Sequence, residues 1–313
     1  MSNVKYSIVV AAYNEEEVLP FFFDKIIPMF EGLNESFELI MVNDGSRDKT
    51  AEIIEQKCKE DKRVIGINLS RNFGQQAALL CGLKESRGDA IIVMDADLQD
   101  PPEIALQMID KWKEGFDIIH GRRKKRPGES VFKRLTAKIY YKFLNRITNP
   151  KAPQNVGDFK LYSRRAIDVI LSMPERNRYL KTQASWIGFK QAFIEFDRPA
   201  REVGETKYTV KKLVKLALDG IISNSNYPLT LSAKIGTALC VASLITFITF
   251  VIVGFLVKWL PLTAWLFPTV GMLFGIDLVV KGFSDIYLSK VYEEVKNRPI
   301  YIVKDKFNGH EDD

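Results

Sequence analysis

Along the first 120 residues, apolar runs rich in β-branched side chains alternate with longer stretches of helical character. The runs lie at 6–12 (YSIVVAA), 37–43 (FELIMVN), 64–70 (VIGINLS), 89–95 (DAIIVMD) and 116–121 (FDIIHG), each bounded by turn-forming residues, as short buried strands are. Segments 15–30, 48–59, 74–86 and 102–114 fill the gaps as helices. This alternation predicts an α/β domain: a mostly parallel, Rossmann-like sheet with helices on both faces, since strands buried on both sides read as near-continuous apolar runs. In open sheets of this kind ligands bind beyond the carboxyl ends of the strands. The polar residues that end each strand are therefore the candidates for chemistry.

Those ends read Tyr13-Asn14-Glu15, Asn43-Asp44-Gly45-Ser46, Ser70-Arg71-Asn72 and Asp95-Ala96-Asp97-Leu98-Gln99-Asp100. Neither GxGxxG nor GxxxxGK follows the first strand, so the two commonest nucleotide fingerprints are absent. Acidic groups stand in their place. Carboxylates gathered where a diphosphate has to sit repel it unless a hard divalent cation lies between, and Mg²⁺ or Mn²⁺ held by one or two carboxylates plus substrate phosphates is that arrangement. Local readings compete: Asn14 with Glu17 fits a helix capping box, Asp44 fits a turn before the second helix, and Asp95 with Asp97 fits a turn and cap. The gathering of all these groups on one sheet edge favours a metal–nucleotide site.

After residue 230 the pattern changes. Residues 235–257 form 23 uncharged positions and 259–276 form 18 more, separated by Lys258. The first run as a helix is roughly 35 Å long, enough to cross a bilayer core. The alternative is a buried core helix, but a soluble core helix rarely lacks a polar face over this length. Two transmembrane helices are expected, with Asp277 and Lys281 near the end of the second spaced to pair at i, i+4. Before them, Val210, Leu213, Val214, Ala217 and Ile221 share one helical face while Lys211, Lys212 and Lys215 populate others, the pattern of an interfacial helix or of an ordinary core-facing one. The expected organisation is a catalytic domain at 1–205, an amphipathic juxtamembrane segment at 206–230, two spans within 231–290 and a C-terminal tail at 291–313. Nothing at 1–12 looks like a signal peptide. With Lys211, Lys212, Lys215 and Lys234 before the spans, Lys290, Lys296 and Arg298 after them and Lys258 between, the positive-inside rule places the domain and both termini in the cytosol, with the protein multi-pass in the plasma membrane.

Composition sharpens this picture. Of the 313 residues 46% are hydrophobic and 27% charged, which is ordinary globular composition. The net charge of +6 hides an asymmetry: 13 basic and 22 acidic side chains in 1–120, 24 and 9 in 121–230, 8 and 8 in 231–313. Only His120 and His310 are present, which excludes histidine-rich zinc sites, and Cys58, Cys81 and Cys240 have no CxxC spacing and read as small buried apolar residues. The basic middle, with Arg122, Lys133, Arg134, Lys138, Lys142 and Arg146, has a nucleic-acid patch as its rival reading. Two spans beyond it favour a lipid phosphate and an anionic leaflet instead.

SIVVAAYNEE, VNDGSRDKT, RNFGQQAALLCGL and IIVMDADLQDPPE, followed by VGDFKLYSRRAID and REVGETKYTVKKLVKLALDGI, resemble in order and spacing the family 2 glycosyltransferases of GT-A fold. The likeness is greatest to dolichol-phosphate mannosyltransferases and bacterial polyprenyl-phosphate (bactoprenol) glucosyltransferases, and reaches about residue 294. It implies that Ala12, Tyr13, Glu15, Asp44 and Asp95 hold a UDP-sugar and that Asp95, Asp97 and Gln99 hold Mg²⁺ or Mn²⁺. It further implies that Asp158 and Asp97 are catalytic and that Arg122, Arg134, Arg201 and Lys207 meet acceptor or donor phosphates. The implied reaction is inverting transfer of a hexose, glucose first and GlcNAc or mannose as alternatives, to a polyprenyl phosphate. A membrane-anchored nucleotide-sugar-binding protein without activity is the alternative of another class, and the oligomeric state, a homo-oligomer included, is open.

Overall fold

The computed structural model describes residues 4–124, 156–175, 180–197 and 263–309, with single helical positions at 241, 245, 248 and 249. The chain divides into two compact units, one formed by 1–207 with 298–313 and the other by 208–297.

The first unit opens with β1 (Tyr6–Ala12), α1 (Leu19–Glu31), β2 (Phe37–Asn43), α2 (Thr50–Glu60), β3 (Val64–Leu69), α3 (Gln75–Glu85), β4 (Ala90–Asp95), α4 (Glu103–Lys113) and β5 (Ile118–Arg123). It continues with β6 (Val156–Ser163), α5 (Arg164–Ser172), α6 (Leu180–Trp186), β7 (Gln191–Phe196) and, near the C-terminus, β8 (Val303–Phe307). The strands form one sheet in the order β7-β5-β6-β4-β1-β2-β3-β8. β1 pairs in parallel with β2 and β4, β2 with β3, and β5 with β7. β6 runs antiparallel to β4 and β5, and β8 antiparallel to β3, so the sheet is mixed.

Both faces are covered, which is why the central strands are apolar without alternation. Ile8 and Val10 of β1 face a cluster containing Phe22, Ile26 and Phe30 of α1, Ile54 of α2 and Met108 of α4. Val9 faces the opposite cluster with Leu79 and Leu83 of α3, Ile167 and Ile170 of α5 and Ala184 of α6. Burial pushes the Cys58 thiol up to about 11 and the Cys81 thiol up to about 12, so both are inert apolar packing; Cys240 lies outside the described residues.

α1 begins four residues later than the pattern predicts because the amides at its expected start are taken by the loop after β2. Asn14 N donates to Ser46 Oγ (3.0 Å), Glu15 N to Thr50 Oγ1 (2.9 Å) and Glu16 N to Asp48 Oδ2 (3.2 Å). Pro20 then sits in the first turn, where a missing N–H costs nothing. Asn14 therefore caps no helix; its Oδ1 accepts from Arg47 N at 2.9 Å.

The described part of the second unit is chiefly α7 (Thr263–Val295), within which Lys281 and Asp277 pair at 2.6 Å as their spacing predicts. No helix among the described residues is long and apolar enough to cross a membrane. The juxtamembrane segment 206–230 and, apart from four single positions, the first expected span lie outside the described residues, as does His310.

Candidate active site

The site is assembled by turns at the carboxyl edge of β1, β2, β3 and β4. Each turn contains a residue with positive φ: Asn14 (57°), Gly45 (65°), Gly74 (99°) and Leu98 (53°). Such backbone is rare for a leucine and concentrates at functional sites. At Gly45 the requirement is also steric, since a Cβ would lie 2.4 Å from the Arg71 carbonyl carbon. The absence of a side chain lets the loop after β3 press onto the end of β2.

That close approach serves Asp44. Its N–H donates to Ala12 O (2.9 Å), joining the ends of β1 and β2. Its buried carboxylate accepts from Phe73 N at 2.7 Å and from Gly74 N at 2.9 Å. Burial pushes the carboxyl up from its ordinary range, opposed by those two amides and the Arg71 charge. Asp44 thus ties three strand ends together rather than starting a turn for α2. Tyr13 is exposed at the rim, and Asn43 links β2 to β3 through Nδ2 to Asn68 Oδ1 (2.9 Å).

Asp95 ends β4 in register with Ala11 of β1. Its Oδ1 accepts from Gln75 Nε2 at 2.8 Å. Two residues on, Asp97 Oδ1 accepts from Gln99 N at 3.1 Å, and Ala96 between them is buried. The acidic loop is anchored at its far end by Asp100, whose buried carboxylate lies 3.3 Å from Arg123 Nη2 of β5. β6 is antiparallel to β4 with Val93 opposite Lys160, so continuing that register by two residues brings Asp158 level with Asp95. Asp158 Oδ1 is buried with no hydrogen-bond partner. Arg122, on the same edge of β5, lays its guanidinium 3.9 Å from the Phe193 ring centroid and 3.8 Å from Glu195 Oε1.

Ala12, Tyr13, Glu15, Asp44, Asp95, Asp97, Gln99, Asp158 and Arg122 therefore belong to one sheet edge, whereas Arg134, Arg201 and Lys207 lie outside the described residues. Gln75 and Arg123 are not among the strand-end groups that the sequence marks. Asp100 stands within the quoted acidic motif, but nothing local distinguishes Gln75 from Gln76 or Arg123 from the basic residues after it. Among the described residues no three His, Cys, Asp or Glu side chains are grouped closely enough to hold a metal alone. Two carboxylates with an orphaned carboxylate oxygen on the same edge nevertheless fit a hard divalent cation that takes its remaining ligands from substrate phosphates.

The model of the family described as "Glycosyl transferase family 2" matches residues 7–171, from β1 into α5, and so includes this whole edge. The chain belongs to glycosyl transferase family 2. Within the family it is 40% identical over 304 residues to an uncharacterized glycosyltransferase of Synechocystis, covering 96% of this chain and 95% of that protein. It is 39% identical over 306 residues to a prophage bactoprenol glucosyl transferase homolog of Escherichia coli (96% and 99%), and 39% identical over 311 residues to the SfII prophage-derived bactoprenol glucosyl transferase of Shigella flexneri (98% and 100%). Mannosyl-3-phosphoglycerate synthase from Rubrobacter xylanophilus shares the fold at TM-score 0.51 and 15% identity, over 69% of this chain and 71% of that one. As a member of glycosyl transferase family 2 the protein is a glycosyltransferase with a GT-A-like mixed sheet.

Beside the site of this family 2 glycosyltransferase, His120 of β5 is fully buried and stacked on Phe193 with centroids 5.0 Å apart. Gln191 Nε2 donates to Ala184 O (3.1 Å), which turns Gln191 Oε1 toward His120 Nε2 at 2.9 Å and makes that nitrogen the donor. Burial, with the Lys160 and Arg122 charges, pushes the imidazole down to about 3. Because the unfolded chain binds this proton near pH 6.5 and the native one does not, the contribution of this group to stability falls as pH drops from 6.5 toward 3, with a slope that approaches about 1.4 kcal/mol per unit. Urea unfolding at pH 6.5, 5.5 and 4.5 is expected to show this slope in the wild type and a flatter one in His120→Phe. Equal slopes would show that His120 is not the group responsible.

Proposed function

We propose that the protein is a membrane-anchored inverting glycosyltransferase that moves a hexose, foremost glucose from UDP-glucose, to the phosphate of a polyprenyl phosphate. The observation that carries this reading is the meeting of Asp44, Asp95, Asp97 and Asp158 on one sheet edge. The relatives named bactoprenol glucosyl transferases, matched over nearly their whole length, support the acceptor and the sugar.

Ala12, Tyr13, Glu15 and Asp44 surround the nucleoside, with Tyr13 exposed for contact with the base and Asp44 held by two amides beside it. Asp95, Asp97 and Gln99 would hold Mg²⁺ or Mn²⁺, which when bound would stabilise the charge on the departing nucleotide. The acceptor is a phosphate monoester with a second pKa near 6, so its oxygen is already anionic at pH 7 and needs no strong base. That oxygen attacks the anomeric carbon from the face opposite the leaving group. One O–C bond forms, the bond from that carbon to the UDP oxygen breaks, and an α-linked donor becomes a β-linked lipid-phosphate sugar. Asp158 orients the reacting groups by position, and Arg122 supplies positive charge at the rim where the acceptor phosphate enters; Arg134, Arg201 and Lys207 join it in this reading.

Membrane anchoring rests on the two uncharged runs at 235–257 and 259–276. It is supported by Leu266, Val270 and Phe274 of α7, spaced by four and each more than half exposed, which form an apolar stripe with no polar interruption of its own. The division into a catalytic domain at 1–205, an interfacial segment at 206–230 and spans within 231–290 follows from the same reading, while the C-terminal segment expected as a tail returns to the catalytic unit through β8.

Membranes containing the protein, incubated with labelled UDP-glucose, Mn²⁺ and undecaprenyl phosphate, are expected to yield a glycolipid labile to mild acid, and EDTA is expected to abolish its formation. UDP-GlcNAc and GDP-mannose in parallel assign the sugar. Failure of every donor to label the lipid would refute the acceptor, and label insensitive to EDTA would refute the metal.

A further inference from the structure

We propose that Gln75 is a positioning residue for Asp95: its side-chain amide aims one carboxylate oxygen and leaves the negative charge intact for a divalent cation and nucleoside diphosphate. The inference rests on the assignment of Asp95 to that cation in the reading above.

The partner's chemistry is the first argument. Gln75 Nε2 donates to Asp95 Oδ1 at 2.8 Å. A carboxylate that must bind a cation needs a fixed direction, and groups behind a ligand commonly provide it. A lysine or arginine in this place would fix the direction but also neutralise the carboxylate and repel the incoming cation, because opposite and like charges at such distances interact strongly near a protein surface. A neutral amide donates the same hydrogen bond without that competition.

The second argument is that Gln75 reaches from a braced backbone although its own side chain is exposed. Immediately before it, Phe73 N and Gly74 N both donate to the buried carboxylate of Asp44. Immediately after it, Gln76 Oε1 accepts from Leu180 N, the first residue of α6, at 3.2 Å. Gly74 O accepts from Ala77 N and Ala78 N, closing the first turn of α3, and Ser70 N donates to Ile302 O at 2.9 Å just ahead of β8. The stretch 70–78 is thus stitched to β2, to α6 and to the C-terminal strand segment. Its side chain is presented to Asp95 from a segment that has little freedom left to lose.

The test is calorimetric titration of Mn²⁺ into the full-length protein saturated with UDP, with UDP binding in EDTA and the thermal midpoint measured alongside. Gln75→Ala is expected to weaken Mn²⁺ binding by about tenfold, the lower end of what loss of an orienting partner costs, with UDP binding in EDTA and the thermal midpoint unchanged. Gln75→Lys, which keeps a donor, is expected to weaken it further, and that excess should shrink as salt is raised. Wild-type Mn²⁺ affinity in Gln75→Ala would overturn the inference, as would a loss accompanied by an equal loss of UDP binding in EDTA or a fall in the midpoint. Asp95→Asn separates the two levels. If it abolishes Mn²⁺-dependent binding while Gln75→Ala does not change it, only the role of Gln75 fails; if Asp95→Asn itself binds Mn²⁺ like the wild type, both fail.

Discussion

Asp97→Ala is expected to lower the rate of lipid glycosylation by about 10³-fold or more, the scale on which groups that stabilise transition-state charge act, while the protein stays folded. The fold is expected to be spared because Asp97 is only partly buried and stands in a loop, where its Oδ1 accepts from Gln99 N two residues away. The loop keeps its anchor through Asp100 and Arg123. Initial rates at saturating donor and acceptor, with the thermal midpoint as control, check this. Turnover within tenfold of wild type would remove Asp97 from the proposed metal set.

Asp44→Ala is expected to act on stability and binding together. The carboxylate is 2% exposed and accepts from two main-chain amides. Truncation leaves both N–H groups without their acceptor, at about 1–3 kcal/mol each, and frees the loop after β3 from the end of β2. A stability loss of about 2–4 kcal/mol in urea unfolding and UDP affinity lowered by about 100-fold are the expected results. The loss of affinity should exceed that of Asp44→Asn, which retains one acceptor oxygen. A variant as stable as the wild type would mean that those amides find other partners and that Asp44 does not brace the loop.

Much of the catalytic sheet is legible because its strands are buried on both faces and end in turn residues. β1 and β2 have the bounds that their apolar runs predict, and β3 and β4 differ by one residue. The same rule fails for β6 and β8. In VGDFKLYS the run is broken by Asp158 and by the fully buried Lys160, and VKDKF has three charged residues in succession, Lys304, Asp305 and Lys306. Their strand character comes from partners distant in sequence, β4 and β5 for one and β3 for the other. The site divides in a similar way. Asp44, Asp95 and Asp97 are visible as carboxylates at strand ends, whereas Gln75 and Arg123 acquire their roles only when β3 and β5 are laid beside their neighbours. The start of α1 is misplaced because the residues that claim its first amides, Ser46, Asp48 and Thr50, lie about thirty positions further on.

The strand β8 imposes a parity on the chain. Residues 303–307 hydrogen-bond to β3, and Asn308 holds on to Val64 O at 3.0 Å and to Cys58 O, so the last segment is part of the same folded body as residues 6–123. Everything from 208 to 297 is consequently a closed excursion that leaves this body and returns to it. On the proposed two-span reading, an excursion that returns to its own sheet crosses the bilayer an even number of times, so deleting either uncharged run would put β8 on the far side of the membrane and leave β3 without its partner.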